Sequence, residues 1–255
     1  MFYFDEIDGR KILKSDFIKN AQAFFTTRDI CICDKAEIVA PSIELPQAEM
    51  SLENNKKLIA NYLKIEVKNL ISPIQTHSAN IEIAKEKQSN YPYTDGLILT
   101  NSTQAIFLNF ADCTPIIFYD PELNIGAISH AGWRGTAQEI APKTVEKMSD
   151  LYNCNPQNII ALIGPAICGK CYEVGTDVYE KLQKTITAPL SEFCTQKGDK
   201  YHIDLKEINK IQLLQAGIEK IDVCPYCTCC NNEYFFSYRK ENGTTLRHSA
   251  VMKIR

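Results

Sequence analysis

The sequence predicts an α+β fold, a layered sandwich, with residues 1–255 forming a single domain. Three observations lead there. Short apolar runs bounded by turn residues recur through the centre of the chain, as strands do. Two of these runs are joined only by Asp120-Pro121-Glu122-Leu123-Asn124, which marks an antiparallel hairpin. Stretches with a helical apolar stripe stand apart from the strands, and no G-x-G-x-x-G follows a strand, so a dinucleotide-binding sheet is not expected.

The first 50 residues read as short strands and loops, with Pro41 and Pro46 in an irregular connection. Residues 52–63 carry apolar side chains at 52, 58, 59 and 63, a helical pattern. Residues 70–74 form a short strand leading into Gln75-Thr76-His77. Residues 96–100 and 105–110 read as buried strands, and 115–119 and 125–129 as the two arms of the hairpin. A helix is expected to start at Thr136, with Glu139 completing a capping box and apolar residues at 137, 140, 141, 145, 148 and 151 forming its stripe. Residues 159–163 make a strand closed by Gly164-Pro165. A second helix spans 176–184. A third runs from its N-cap Asp204 to Ala216, where Gly217 ends it. Residues 233–238 are aromatic and strand-like.

Composition narrows the function. A chain of 255 residues buries roughly 70–75% of its unfolded surface and needs no disulfide or metal to hold a core. A net charge of −3 argues against nucleic acid or a membrane surface as partner. No run of 18 apolar residues suggests a transmembrane helix, and the charged start MFYFDEIDGRKILKS lacks the build of a signal peptide. The protein is expected in the cytoplasm, as a monomer or small homo-oligomer. Its eleven cysteines are then expected to be reduced and available for metal binding, catalysis or packing.

The four histidines focus the search. His77 and His130 sit at strand ends, and Cys113 lies between two strands. A Cys/His₂ set suits Zn²⁺ and leaves a fourth position open. Their spacing matches no short zinc motif, so two loop histidines and a buried thiol remain the plain alternative. The turn Gly132-Trp133-Arg134-Gly135 feeds a helix start, where an anion is favoured. Arg134 adds a planar fork of donors and is a candidate phosphate ligand, with pairing to Glu139 or Asp112 as the alternative. Asp95, Asp112 and Glu173 are candidate proton carriers. Each has a structural alternative: a turn aspartate, an orienting partner of a ligand histidine, and a solvated strand residue. His202 and His248 read as half-exposed strand residues, and Trp133 as core. Cys168-Gly-Lys-Cys171 and Cys224-Pro-Tyr-Cys227, with Cys229 and Cys230 nearby, could form a Cys₄ site. The gap between the pairs exceeds that of a zinc ribbon, so several of these thiols are expected to line the cleft or pack as small hydrophobes.

The segments QTHSANI, TDGLILT, ADCTPIIFYD, SHAGWRGT, IGPAICGKCYEVG, CT at 227–228 and FFSYR occur in that order. Together they resemble the laccase-domain proteins, the YfiH-type family also called multicopper polyphenol oxidase-like. The likeness starts near the FFTTR segment that begins at Phe24 and runs almost to the C-terminus. It implies a helix-flanked β-sandwich in which His77, Cys113 and His130 bind one zinc. It also implies phosphorolysis of purine nucleosides, methylthioadenosine among them, and deamination of adenosine, with nucleosides and phosphate as the small-molecule partners. Arg239, which ends FFSYR, joins Arg134 as a candidate substrate ligand. The sequence departs from the family pattern at two places that bear on substrate contacts: Asp29-Ile30-Cys31-Ile32-Cys33 replaces the usual Gly-rich continuation, and Thr245-Leu246-Arg247 replaces a Gly-Arg pair. A cysteine hydrolase using Cys113 with His77 or His130 is one rival reading. A copper phenol oxidase holding Cu²⁺ is another, disfavoured by so few histidines. A thiol-based redox or interaction module is a third.

Overall fold

In a computed structural model, which describes residues 1–32 and 45–255, the chain forms two six-stranded sheets packed face to face, with helices on both outer faces. Cys33 and Pro41 lie outside the described residues. The first sheet holds β1 (Phe2–Ile7), β2 (Arg10–Ser15), β3 (Gln22–Thr26), β4 (Leu70–Ile71), β7 (Ala105–Phe110) and β15 (His248–Lys253), in the order β1-β2-β3-β15-β7-β4. The second holds β5 (Ile81–Ala84), β6 (Gly96–Leu99), β8 (Thr114–Asp120), β9 (Ile125–Ala131), β10 (Ile160–Ile163) and β14 (Lys220–Val223), in the order β14-β10-β8-β9-β6-β5. A small third sheet joins β11 (Glu173–Val174), β13 (Lys200–Ile203) and β12 (Cys194–Lys197).

The layering follows from strands that are apolar on both sides. Phe25, Leu108 and Met252 of the first sheet meet Leu97, Ile117 and Leu162 of the second in the central core. The opposite face of the second sheet packs Ile98, Phe118 and Ile163 against Ile140, Val145 and Met148 of α3 (Ile140–Tyr152) and Leu213 of α5 (Leu205–Gln215). The opposite face of the first sheet packs Phe24, Phe107 and Val251 against Ile59 and Leu63 of α1 (Leu45–Leu63). Strands covered on both faces read as continuous apolar runs, which is why β6 to β9 stand out in the sequence. No helix among the described residues is long and apolar enough to cross a membrane.

The hairpin forms as expected, with β8 and β9 antiparallel and Pro115 opposite His130. Asp204 caps α5, its carboxylate accepting from Lys206 N at 3.0 Å, and Gly217 takes φ +86° beyond its end. The helix at residues 176–184 appears as α4 (Thr176–Gln183).

Four expectations are corrected. The helix start at Thr136 is instead two helices, α2 (Trp133–Ala137) and α3, broken at Glu139, whose φ of +58° is left-handed. No capping box forms, because the buried Thr136 hydroxyl donates to Ala131 O at 3.3 Å and accepts from Asn209. Pro46 lies in the first turn of α1, where a missing N–H costs nothing. Residues 233–238 form turns, fixed by Arg28, which pairs with Glu241 at 2.8 Å and whose N–H donates to Tyr234 O. His248 is fully buried in β15, between the rings of Phe110 and Phe235, rather than half-exposed.

Candidate metal centre and cavity

His77, Cys113 and His130 each aim one ligand atom into a group whose atoms lie within 4.8 Å of one another. The sandwich assembles them from three places. Cys113 immediately precedes β8, and His130 is the second-last residue of β9, so the open end of one hairpin brings both together. His77 arrives on the loop after β4 with φ +59°. Gln75 pins that loop to β7: its Nε2 donates to Asn109 O at 2.9 Å, and its Oε1 accepts from Asn109 N at 2.8 Å. The amide side chain thus stands in for a strand neighbour.

Asp95, wholly buried, orders the trio from below. It accepts from the backbone N–H groups of Thr76, His77 and Ser78 at 3.1, 3.0 and 2.7 Å and from the Ser78 hydroxyl at 2.7 Å. It also meets His130 Nδ1 at 2.9 Å, which leaves Nε2 as the ring's other nitrogen. A carboxylate on one ring nitrogen fixes the tautomer and orientation of a ligand histidine. Burial would push Asp95 up, but the His130 imidazole and the Ser78 donors hold it far below the usual carboxylate range. Burial also works against ionisation of Cys113, and His130 and His77 overcome it, bringing the thiol down to about 6. Burial opposes a charge on His130 as well, and the Cys113 thiolate and Asp95 win, raising it.

Space around the trio is tight. A Cβ on Gly132 would sit 2.8 Å from Cys113 Sγ and 3.4 Å from His77 Cδ2. Glycine is therefore required where α2 begins.

The trio opens onto a cavity of about 430 Å³. Arg134, Arg239 and Arg247 line it, as do Tyr172 and Tyr238. Arg134 stacks on Trp133 with its guanidinium 4.3 Å from the ring and forms no ion pair with Glu139 or Asp112. The backbone of Arg239 is held by Asp112, whose Oδ2 accepts from the main-chain N–H at 2.7 Å, while the side-chain Nη1 and Nη2 reach the carbonyls of Cys171 and Glu173 at 3.5 and 3.3 Å.

The chain matches the family model described as multi-copper polyphenol oxidoreductase laccase over residues 22–255. It is 30% identical over 242 residues to purine nucleoside phosphorylase YlmD of Bacillus subtilis, covering 90% of this chain and 87% of that one. The chain belongs to this laccase family. It is also 30% identical over 253 residues to adenosine deaminase RL5 of an unknown prokaryotic organism, covering 89% and 92% of the two chains. The crystal structure of YlmD from Geobacillus stearothermophilus superposes with a TM-score of 0.86 at 29% identity, over 99% of this chain and 98% of that one.

Within this laccase-family site, the sequence candidates separate. The structure brings His77, Cys113, His130, Arg134, Arg239 and Asp112 to the cavity. Asp95 lies beneath it without access. Glu173 stands exposed on β11, 3.6 Å from His202, and is not part of the lining. Asp112 has both oxygens engaged, by the Thr228 hydroxyl at 2.6 Å and by Arg239 N. Sequence reasoning missed Tyr172, Tyr238 and Asn109. Tyr172 and Tyr238 lie inside the segments CYEVG and FFSYR, which was their signal, whereas Asn109 sits in a run read only as a buried strand. Arg247, set down as a departure from the family pattern, lines the cavity, whereas residues 29–32 do not. Among the cysteines of the described residues, Cys113 alone reaches the lining, so of the two places expected for the other thiols, cleft or packing, none takes the cleft. Cys224 is buried in the inter-sheet core, and it is Cys230 that gathers with Cys168, Cys171 and Cys227.

Proposed function

We propose that this protein is a zinc-dependent purine nucleoside enzyme of the cytoplasm, cleaving nucleosides with phosphate and deaminating adenosine. The observation that carries the reading is one cavity that joins a His₂Cys ligand set to three guanidinium groups. The donor set fits the metal: two imidazoles and a thiol disposed to ionise, one imidazole already oriented by Asp95, and a cavity on the open side. A zinc held there would supply Lewis acidity with one free coordination position. The names of the relatives, purine nucleoside phosphorylase and adenosine deaminase, support both halves of the assignment.

The chain's own groups divide the remaining work. Phosphorolysis forms a bond between a phosphate oxygen and the ribose carbon as the bond to the purine nitrogen breaks. Arg134, Arg239 and Arg247 neutralise the phosphate and hold it against that carbon. Tyr172 and Tyr238 offer aromatic faces to the flat base. Deamination exchanges the amino group for a water oxygen and releases ammonia in the same cavity. Asp95 and Asp112 are positioning residues. The first holds His77 and His130, and the second holds Arg239 and the loop that carries Cys113. Residues 1–255 work here as one catalytic unit.

A thiol between two imidazoles is also the layout of a cysteine hydrolase, and stoichiometric zinc on Cys113 in the resting protein would discount it. A multicopper oxidase needs more imidazoles than the site has, since His202 lies on the small sheet and His248 is buried in β15. The deciding experiment combines metal analysis with a screen of inosine, adenosine and methylthioadenosine, with and without phosphate. Zinc near one equivalent at the trio and phosphate-dependent release of base are expected. A Cys113→Ala protein with full zinc and full turnover would overturn the reading.

A further inference from the structure

We propose that Cys168, Cys171, Cys227 and Cys230 form a second, structural zinc site that clamps one wall of the cavity. Their four sulfurs lie within 4.8 Å of one another. Zn–S bonds of about 2.3 Å at tetrahedral angles place sulfurs about 3.8 Å apart, so the four need only small shifts to close on one ion. Cys171 and Cys230, at 3.5 Å, are already at that spacing.

The backbone around the four is built for thiolates. The ligands come as two C-x-x-C turns, Cys168-Gly-Lys-Cys171 and Cys227-Thr-Cys-Cys230. Cys171 N donates to Cys168 O at 3.0 Å in the first turn, and Asn231 N donates to Cys227 O at 2.8 Å in the second. Two N–H groups point at one sulfur: those of Cys168 and Cys230 reach Cys227 Sγ at 3.2 and 3.4 Å. A parallel bridge from Ala166 to Cys227 holds the two turns in register. Packing does not explain the gathering. None of the four belongs to an apolar cluster, and Cys230 is exposed, whereas Cys31, Cys154 and Cys224 do sit in such clusters. Four thiolates leave zinc no open position, so the site is structural rather than catalytic.

What the ion would clamp follows from the next residues along each turn. Tyr172 follows Cys171 and lines the cavity. Thr228 follows Cys227 and bonds Asp112, while Arg239 reaches the Cys171 carbonyl. The two loops therefore set one side of the substrate cavity.

The test uses the full chain, purified without chelator. The wild type is expected to carry about two zinc ions per chain, and Cys113→Ala about one. X-ray absorption on Cys113→Ala should show zinc in a four-sulfur shell with no nitrogen. Cys168→Ser/Cys171→Ser should lose the other zinc and melt at lower temperature, whereas Cys229→Ser, inside the second turn but outside the set, should keep both. If the double variant fails to fold, the Cys113→Ala spectrum decides. The proposal is overturned if Cys113→Ala carries no zinc, if the ion in the sulfur shell is iron, or if intact mass shows a disulfide among the four. A sulfur-bound zinc in a protein that turns over no nucleoside would leave this site standing and sink the purine assignment alone.

Discussion

The molecule holds two groups of metal-capable side chains, and they are built in opposite ways. His77, Cys113 and His130 stand at the ends of sandwich strands or on a loop pinned to them, with a buried carboxylate under the ring of His130 and a cavity in front. Cys168, Cys171, Cys227 and Cys230 stand on two turns outside the sandwich strands, with backbone N–H groups on the Cys227 sulfur as their polar support. Three mixed ligands beside a lined cavity would keep one corner of a bound zinc open for chemistry. Four thiols closing on each other leave none. Ligand number and what faces the site, rather than the presence of cysteine, therefore separate an active centre from a clamp.

The largest effect expected is on the first group alone. Cys113→Ala should bring nucleoside turnover to background while the four-thiol zinc remains, as metal analysis with a turnover assay would show. Next comes the support beneath the trio. Asp95→Asn keeps the shape but removes the charge facing His130, and zinc affinity at the trio should fall roughly 10- to 100-fold by competition with a chromophoric chelator. The four-thiol site should not respond, and equal weakening of both would break the comparison.

A smaller effect is expected on the cavity wall. Arg134→Ala removes a charged donor that contributes about 1.5–3 kcal/mol where it meets an anion, so the KM for phosphate should rise roughly tenfold or more with zinc content unchanged. An unchanged phosphate KM would remove Arg134 from the assignment.

The smallest effect on metal and turnover belongs to a histidine in neither group. Burial, with Arg247 and Arg28 nearby, pushes His248 down to about 3 against a Pro165 carbonyl that favours the charged ring. The unfolded chain takes up a proton near 6.5 and the native one does not, so stability is lost as pH falls from about 6.5 toward 3. His248→Phe, whose ring suits the aromatic contacts there, should flatten that acid limb by up to a few kcal/mol in denaturant titrations. Zinc stoichiometry should stay the same.

Much of the fold was legible in the residues. β7, the β8–β9 hairpin and β10 announce themselves because both faces are buried, and α5 carries its own cap and stop signals. The misses have local causes. Thr136 and Glu139 have the spacing of a capping box, yet the threonine hydroxyl is taken up by Ala131 in the interior. The aromatic run at 233–238 looks like a strand, but an ion pair between Arg28 and Glu241 holds it as turns. For the site, spacing along the chain carried nothing, because residues 77, 113 and 130 meet only through the pairing of distant strands. The family resemblance supplied that set. The four-thiol group shows the other limit. Cys224-x-x-Cys227 and Cys227-x-x-Cys230 share Cys227, and burial of Cys224 in the core, which no motif reveals, decides between them.

The most direct measurement is anomalous diffraction from a crystal of the purified protein, collected on either side of the zinc absorption edge. A zinc peak bounded by His77, Cys113 and His130 on the cavity side is expected. Side chains that fail to converge, or a peak there of equal height on both sides of the zinc edge, as copper would give, would contradict that expectation.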